Sequence, residues 1–286
     1  MKSINIENPF NAPVYHEETV TSTMDISHRL VSENAPRYET KFPAHGTVIA
    51  ADFQEAGRGR VCDRVWEMER EENLAFTILL RYPRIEKIPA ALTLRAGLAV
   101  SLAVEDFTPS LKSFVLVKWP NDIMISGKKT AGILCEADGG FVHLGIGINI
   151  MQKEFPAHLK KKATSIYNEL ESPARRTQKE DSENPNIMLG EQFAVTGARF
   201  LLLEKILARL YDELEININT GWKYRLEERL YKKNERVTFI EGAVDSGKIV
   251  KGTLTGISES GELLILPEGE KEVRSFISGE LKYGNL

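Results

Sequence analysis

The alternation of apolar and polar positions predicts short strands interrupted by helical stretches. Strand patterns bounded by glycine, asparagine or aspartate occur at residues 46–53, 74–82 and 115–150. Helical spacing of apolar residues occurs at 88–107 and 193–215. Within 115–150, four apolar runs are separated by Ser-Gly-Lys-Lys and Asp-Gly-Gly turns. The pattern therefore predicts an antiparallel meander near the middle of the chain.

The two ends of the chain have different patterns. Ser22 and Asp25 have the spacing of a capping box, so a helix is expected to begin there. Residues 171–187 are rich in charge, proline and asparagine, which predicts a surface insertion with weak order. From Arg236 onward, short alternating strands with glycine turns predict a small barrel. The fold class is therefore α+β, a mixed or antiparallel sheet with helices plus a small C-terminal β-barrel.

Composition narrows the class of protein. The 286 residues are 42% hydrophobic, enough for about two domains with a real core. With 37 Lys plus Arg and 41 Asp plus Glu, the net charge is −4, which leaves no basic field for gripping duplex DNA. There are two cysteines, Cys62 and Cys135. No stretch is expected to approach the roughly 18 apolar residues of a membrane span, and no signal peptide is visible, so we expect a cytoplasmic protein with free thiols.

Glycines and cations occur together in the candidate sheet. The Gly-Arg-Gly-Arg sequence at 57–60 follows a strand and offers forked cations for phosphate or carboxylate, although for this motif alone an ordinary surface loop is the better explanation. Lys118 ends an apolar run, where it either meets an anion or extends to solvent. Lys129 follows a hairpin turn, where a solvated lysine is common. Gly145 and Gly147 leave one strand face bare, for a flat ligand or for close packing of a helix.

Three other signals are weak. The segment Gly242–Ile249 has the glycine and lysine spacing of a phosphate-binding loop, but Ile249 replaces the hydroxyl residue that would hold magnesium. The five histidines lack metal-binding spacing, and two scattered cysteines do not make a zinc site. The chain also lacks the Gly-x-Ser-x-Gly motif of serine hydrolases.

Five motifs together carry a family resemblance. They are Ser-Thr-Met-Asp at 22–25, Gln-Glu-Ala-Gly-Arg-Gly-Arg at 54–60, Lys-Trp-Pro-Asn-Asp-Ile at 118–123, Lys-Lys-Thr-Ala-Gly-Ile-Leu at 128–134 and Gly-Ile-Gly-Ile-Asn at 145–149. In this order and spacing, the chain resembles biotin protein ligases. The resemblance implies a class II synthetase-like catalytic domain of the biotin/lipoate ligase type over residues 1–234. It also implies an SH3-like C-terminal domain over residues 235–286.

The resemblance also implies a reaction and a set of site residues. Biotin would be activated with ATP and Mg²⁺ to biotinyl-5′-AMP, and then transferred to one lysine of the biotin carboxyl carrier protein domain of a biotin-dependent carboxylase. The implied catalytic residues are Lys129, Arg60 and Lys118. The implied biotin-binding residues are Ser22, Thr23, Gln54, Gly57, Arg58, Arg60, Lys129, Gly132 and Gly147. The implied ATP-binding residues are Arg58, Trp66, Lys118, Asn121, Asp122 and Asn149, with Asp122 also a magnesium ligand.

Some positions depart from the family pattern, and alternatives stay open. Residues 61–65 differ from the usual continuation of the loop, and Met24 stands where the family often has asparagine. About twenty residues precede Ser22, so we expect a form without an N-terminal DNA-binding domain, with no nucleic-acid or membrane partner. A homodimer is left open. The alternatives are a lipoate or octanoate ligase or transferase of the same superfamily, or a non-catalytic small-molecule-binding module.

Overall fold

An eight-stranded mixed sheet forms the centre of the protein. The computed structural model describes residues 1–34, 43–61, 64–172, 197–218, 220–243 and 247–282. The strands are β1 Lys2–Ile4, β2 Val14–Glu17, β3 Thr47–Ala51, β4 Asn73–Arg81, β5 Val115–Lys118, β6 Asp122–Ile125, β7 Lys128–Asp138 and β8 Phe141–Asn149. Their order is β1-β2-β3-β4-β8-β7-β6-β5, and only the β2–β3 pair is parallel.

The predicted meander is confirmed, because β5 to β8 pair with one another in chain order. Both of its glycine-containing turns are two-residue hairpin loops. Ser126 and Gly127 have φ of 51° and 77°, and Gly139 and Gly140 have φ of 55° and 79°. Positive φ at both central residues gives the turn a twist that matches paired strands. The turns therefore set the register of β7 at both of its ends.

The described part of the chain contains five α-helices. They are α1 Thr23–Asn34, α2 Leu92–Phe107, α3 Ile166–Leu170, α4 Ala198–Tyr211 and α5 Trp222–Glu227. A π-helical turn at Asp212–Ile216 continues α4. The central helix α2 contacts α4, β5 and β7. It begins four residues later than the sequence pattern predicts, because Ala91 before it is left-handed, with φ of 55°. The first part of the predicted 193–215 helix, residues 193–196, lies outside the described residues.

The expectation that no apolar stretch approaches the length of a membrane span was wrong. The segment Ile85–Phe107 is long enough, and its 18-residue window has a mean hydropathy of 1.4. However, 72% of that window is buried inside the protein. Leu98, Ala99 and Val100 are fully buried, so α2 is apolar on several sides because protein surrounds it. It is a core helix.

A second, five-stranded antiparallel sheet follows the helices. Its strands are β9 Arg236–Glu241, β10 Lys248–Ile257, β11 Leu263–Pro267, β12 Arg274–Phe276 and β13 Gly279–Leu281, in the order β12-β11-β10-β9-β13. The indole of Trp119 lies 5.9 Å from the ring of Phe239, and its Nε1 donates to the carbonyl of Gly261 at 2.9 Å. The end of β5 is therefore joined to the small sheet. This confirms the α+β class, while the division at residue 234 stays a prediction.

Other sequence predictions have mixed outcomes. Ser22 caps α1, since its Oγ accepts from the amide of Met24 at 3.2 Å, whereas Asp25 binds an arginine instead of completing a capping box. Most of the predicted insertion, residues 173–187, lies outside the described residues, as does Cys62. Cys135 is a free cysteine, and burial raises the pKa of its thiol to about 11. It therefore stays protonated at neutral pH.

Buried His143 should make stability depend on pH. Its Nδ1 lies 2.7 Å from Ser27 Oγ, its ring stacks on His28 at 3.8 Å, and burial lowers its pKa to about 4. As pH falls below the unfolded value of about 6.5, the unfolded chain binds this proton first, so stability is lost between about pH 6.5 and 4. Between pH 7 and 5, urea unfolding should show the wild type losing about 2 kcal/mol more than His143→Gln.

The His143→Gln variant keeps every other titrating group. Its loss of stability between the two pH values therefore measures what those other groups contribute. Its absolute stability is expected to be lower, but only the difference between the two pH values matters. Equal losses in the two proteins would show that His143 does not cause the effect.

Candidate active site

An open pocket with about 510 Å³ of empty space lies where α1, the loop after β3, and strands β4, β7 and β8 meet. Of the residues predicted from sequence, the pocket is lined by Ser22, Thr23, Gln54, Arg58, Arg60, Trp66, Asn121, Lys129, Gly132 and Gly147. The wall also contains Gly145, which was named with Gly147 as a bare strand position, and Met24, which stands at a family contact position. Its other residues, Gly59, Phe76, Thr77, Ile133, Leu134 and Ile146, were not predicted. The predicted residues Gly57, Lys118, Asp122 and Asn149 do not line it. Sequence motifs far apart in the chain thus meet in one place.

One end of the pocket is polar but carries no charge. Gln54 Oε1 accepts from the amide of Thr23 at 2.8 Å and from its hydroxyl at 3.1 Å. Thr77 Oγ1 in turn donates to Thr23 Oγ1 at 2.9 Å. Thr77 was missed by the sequence analysis, although it is the one polar residue in the apolar run 74–80. This chain of hydrogen bonds fixes the donors and acceptors that a neutral polar ligand would meet.

The floor of the pocket is made of glycine. Gly132 and Gly147 face each other across β7 and β8. An added Cβ at Gly147 would lie 2.5 Å from the indole of Trp66, and one at Gly132 would lie 3.1 Å from Lys129 Nζ. The Trp66 indole therefore lies directly on the glycine floor, which the sequence analysis expected to be bare. Its Nε1 is buried and has no hydrogen-bond partner within the described residues.

Lys129 lies at the opposite end of the pocket because of a β-bulge. The pairing of β6 with β7 shifts register between Ile123 and Met124, which leaves Thr130 as the extra residue of β7. Side chains alternate along a regular strand, so Lys129 and Gly132, three positions apart, would otherwise face opposite sides. The bulge brings both into the same pocket. The sequence motif contains both residues but gives no sign of the bulge.

The Lys129 ammonium is held on more than one side. Its Nζ lies 2.6 Å from Asp122 Oδ1 and 5.8 Å from the centre of the Trp66 ring. Its backbone amide donates to the carbonyl of Lys162 at 2.8 Å, and its carbonyl accepts from Thr164 at 2.9 Å. These contacts fix the cation at the pocket wall, with a carboxylate as its present counter-charge.

Lys118 is buried beneath this charged wall. Lys118 is only 2% exposed, so its side chain does not extend to solvent. Burial lowers the pKa of Lys118 to about 8, although Asp122 and Glu280 act in the opposite direction. Asp122 is its register partner across β5 and β6. Lys118 therefore contributes a positive charge from below the pocket rather than a direct contact with its space.

Two arginines extend over the pocket from a short hairpin. The arginine hairpin, residues 57–61 and 64–66, is closed by bonds from Gly59 N to Arg64 O and from Trp66 N to Gly57 O, at 2.8 and 2.9 Å. Arg58 Nη2 lies 2.9 Å from Asp25 Oδ1, and the same nitrogen lies 3.7 Å from a carboxylate oxygen of Glu136 in β7. Arg60 points toward the small C-terminal sheet, where its Nη2 donates to the carbonyl of Gly279. The hairpin thus brings two forked cations to the pocket margin.

The side-chain amides of Asn121 and Asn149 are both hydrogen-bonded to backbone carbonyls, and Asp122 is the predicted metal ligand. Asn121 Nδ2 donates to the carbonyl of Ile133 at 2.9 Å, whereas Asn149 Nδ2 donates to that of Thr164 at 3.1 Å, outside the pocket wall. No group of three or more His, Cys, Asp or Glu side chains in the described part of the chain could hold a metal ion. Asp122 alone therefore fits magnesium only where other ligands, such as phosphate oxygens, come with the ion.

Comparison with known proteins places this fold and pocket in one class. A family model described as the biotin/lipoate A/B protein ligase family matches residues 19–150. The Aquifex aeolicus biotin protein ligase, solved in complex with biotin and ATP, superposes with a TM-score of 0.68 at 28% identity, covering 94% of this chain and 97% of that one. The fold is thus similar to that of the biotin and lipoate ligase class.

Relatives found by sequence are more specific. The bifunctional ligase/repressor BirA of Bacillus subtilis is 40% identical over 162 residues, 54% of this chain and 45% of that protein. The biotin--[acetyl-CoA-carboxylase] ligase of Mycobacterium tuberculosis is 35% identical over 125 residues, 42% of this chain and 45% of that protein. This chain is similar to biotin protein ligases over the matched residues. It spans about half the length of these curated relatives.

Replacement of Gly147 by alanine should displace Trp66 from the floor. The new Cβ would meet the rigid indole at 2.5 Å, so the ring must move toward solvent. We expect a red shift in the Trp66 emission, isolated by subtracting the spectrum of a protein that also carries Trp66→Phe.

Gly145→Ala is the matched control, since it lies two residues away on the same strand. Its Cβ would meet the flexible end of Met24 at 2.8 Å rather than the indole. It should leave the Trp66 emission unchanged. An unshifted spectrum in Gly147→Ala would contradict the stacking of Trp66 on the glycine floor.

Proposed function

We propose that the protein is a biotin--[biotin carboxyl carrier protein] ligase that is ATP-dependent and forms AMP. The observation that carries this proposal is the arrangement of the pocket. An uncharged hydrogen-bonding end formed by Thr23, Gln54 and Thr77 lies across a glycine floor from Lys129, and Arg58 and Arg60 lie at the pocket margin. A ligand with a neutral polar head and an anionic tail fits this arrangement, and biotin has a ureido head and a carboxylate tail.

The charged end explains the first half-reaction. An oxygen of the biotin carboxylate forms a bond to the α-phosphorus of ATP, and the bond from that phosphorus to the bridging oxygen breaks, so pyrophosphate leaves with the electron pair. Both reactants are anions and repel each other. Lys129 is the principal catalytic residue, because an ammonium placed between the two anions stabilises the charge that develops. Arg60 and Arg58 supply forked donors at the pocket margin, and Lys118 adds positive charge from below.

The second half-reaction needs little from the protein beyond positioning. The neutral ε-amine of the carrier lysine attacks the acyl carbon of biotinyl-5′-AMP, the bond to the AMP oxygen breaks, and the amine loses a proton to solvent. AMP is a good leaving group, so the adenylate must be kept from water until the carrier arrives. The arginine hairpin lies where it covers the nucleotide side, and Trp66 offers a flat surface for the adenine.

In the proposed reaction, magnesium would bind together with ATP. Asp122 is the residue that would contact the ion, with Asn121 beside it, and the phosphate oxygens would complete its coordination. When bound, Mg²⁺ offsets negative charge on the phosphates. Asp122 now neutralises Lys129 at 2.6 Å, so nucleotide binding would exchange one partner of this lysine for another. Asn149 stays a predicted nucleotide residue, which would act through the segment that contains Thr164.

Two other functions use the same pocket shape. Lipoate or octanoate would place an apolar or disulfide-containing head against Thr23, Gln54 and Thr77, and the hydrogen-bonding capacity that these groups do not use among themselves would lose water without gaining a partner, which is costly. A silent binding module would bind biotin but would have no need for a lysine and two arginines around one pocket. The carrier partner, the cytoplasmic location, the absence of nucleic-acid and membrane partners, and a homodimer stay predictions.

The deciding measurement is magnesium-dependent ATP–pyrophosphate exchange with biotin, lipoate and octanoate offered separately. We expect exchange with biotin alone, because only biotin satisfies the polar end. Exchange with lipoate or octanoate would support the sister activities, and no exchange with any acid in a folded protein would overturn the enzyme proposal. Incorporation of biotin into an added carrier domain then tests the transfer step.

Lys129→Ala should lower the rate of biotin-dependent exchange by about two to three orders of magnitude, since it removes the charge between the reacting anions. The matched control is Lys128→Ala, which removes the adjacent lysine at the hairpin tip and should keep the exchange rate. Circular dichroism shows whether each variant is folded. Full exchange in folded Lys129→Ala would contradict its catalytic role.

Thr77→Val should affect biotin rather than ATP. It keeps the shape of the side chain but removes the hydroxyl that donates to Thr23 at 2.9 Å. We expect the KM for biotin to rise by about tenfold, while the KM for ATP stays unchanged. Equal effects on the two KM values would argue that Thr77 supports the fold rather than the biotin end.

A further inference from the structure

The arginine hairpin is attached to the small C-terminal sheet by two separate contacts. Arg60 Nη2 donates to the carbonyl of Gly279 at 3.0 Å, although the two residues are 219 positions apart in the chain. Arg64 Nη2 lies 2.9 Å from Glu280 Oε2. Gly279 and Glu280 are adjacent residues of β13. One short strand at the sheet edge thus meets both sides of the hairpin.

Glu280 is not an ordinary surface carboxylate. Its side chain is only 16% exposed, whereas that of Arg64 is 52% exposed. Its Oε2 is buried and makes no hydrogen bond within the described residues, so its contact with Arg64 is one of charge. The negative charge of Glu280 also acts on Lys118, where it raises the pKa that burial lowers. A carboxylate that has lost most of its water requires nearby cations, so Arg64 is constrained to stay close.

A second pair in the same sheet provides a contrast. Arg236 and Glu268 lie 2.6 Å apart, with side chains 78% and 47% exposed. Water screens such a pair and both side chains are free to move, so pairs of this kind contribute little. Closeness alone therefore does not make a contact important. The burial of Glu280 distinguishes it from Glu268.

We propose that Glu280 is a positioning residue, which holds the arginine hairpin against the small sheet through Arg64 and so keeps Arg60 at the pocket margin. This inference rests on the proposed adenylation, because the hairpin is then what retains the adenylate. Glu280 itself touches neither biotin nor ATP. It acts from the C-terminal sheet on a loop in the catalytic part of the chain, which gives that sheet a defined task in the reaction.

The first test measures the hairpin without any catalysis. Hydrogen exchange is followed on peptides that contain Gly59 and Trp66, whose amides close the hairpin. In Glu280→Gln these amides should exchange about fivefold faster than in the wild type. In Glu268→Gln, the matched control in the same sheet, they should exchange at the wild-type rate. Unchanged exchange in Glu280→Gln would overturn the proposal.

The second test measures retention of the adenylate. Protein is first loaded with labelled biotin and MgATP, without a carrier. It is then mixed with excess unlabelled biotin, and the release of labelled adenylate is timed. Release should be several-fold faster in Glu280→Gln, and equally fast in Arg64→Gln and in the double variant, because the two residues act as one unit. Effects that add in the double variant would show that Glu280 acts by another route.

The two tests separate this inference from the proposed function. If the wild-type protein forms no adenylate, the proposed function is wrong. Hydrogen exchange of the hairpin amides would still decide whether Glu280 holds the hairpin. Urea unfolding of each variant shows whether the fold is intact. Slower adenylate release in Glu280→Gln, or release unchanged from the wild type, would overturn the positioning role.

Discussion

The pairing of Gly132 with Gly147 across β7 and β8 is the constraint on which the site depends. Two strands in the middle of an eight-stranded sheet would normally cover their faces with side chains. Here the absence of a Cβ at both positions leaves room for a flat group, and the Trp66 indole occupies that room. The hairpin that carries Trp66, the lysine beside it and the helix at the far end are all arranged around this bare surface.

The charges around the floor are balanced before any ligand arrives. Lys129 is paired with Asp122, and Arg58 is close to Asp25 and Glu136. This arrangement limits the cost of keeping these cations near a largely apolar sheet, because Lys129 and Arg58 each have an anionic neighbour. An incoming anion gains only the difference between its own interaction and that of the carboxylate it replaces.

The sequence predicted the local parts of this structure well, since they follow from short-range patterns. The meander from β5 to β8, the capping role of Ser22 and the core helix within 88–107 are of this kind. It did not predict features that arise only when distant segments meet. The bulge at Thr130, the indole on the glycine floor and the contacts of β13 with the arginine hairpin are all tertiary. Thr77 lay between these cases, because a lone hydroxyl in a buried strand was visible but was not interpreted.

The bulge in β7 also has a consequence for how the strand tolerates change. Two-residue turns fix β7 at both ends, at Ser126–Gly127 and Gly139–Gly140, so the strand has no slack with which to absorb an added or deleted residue. The bulge residue Thr130 is the exception, because its removal would leave regular pairing with Lys129 and Gly132 two positions apart and still on the same face. An insertion or deletion elsewhere between Lys129 and Gly132 would turn one of the two residues to the opposite face, so the ammonium and the glycine floor would no longer share one pocket.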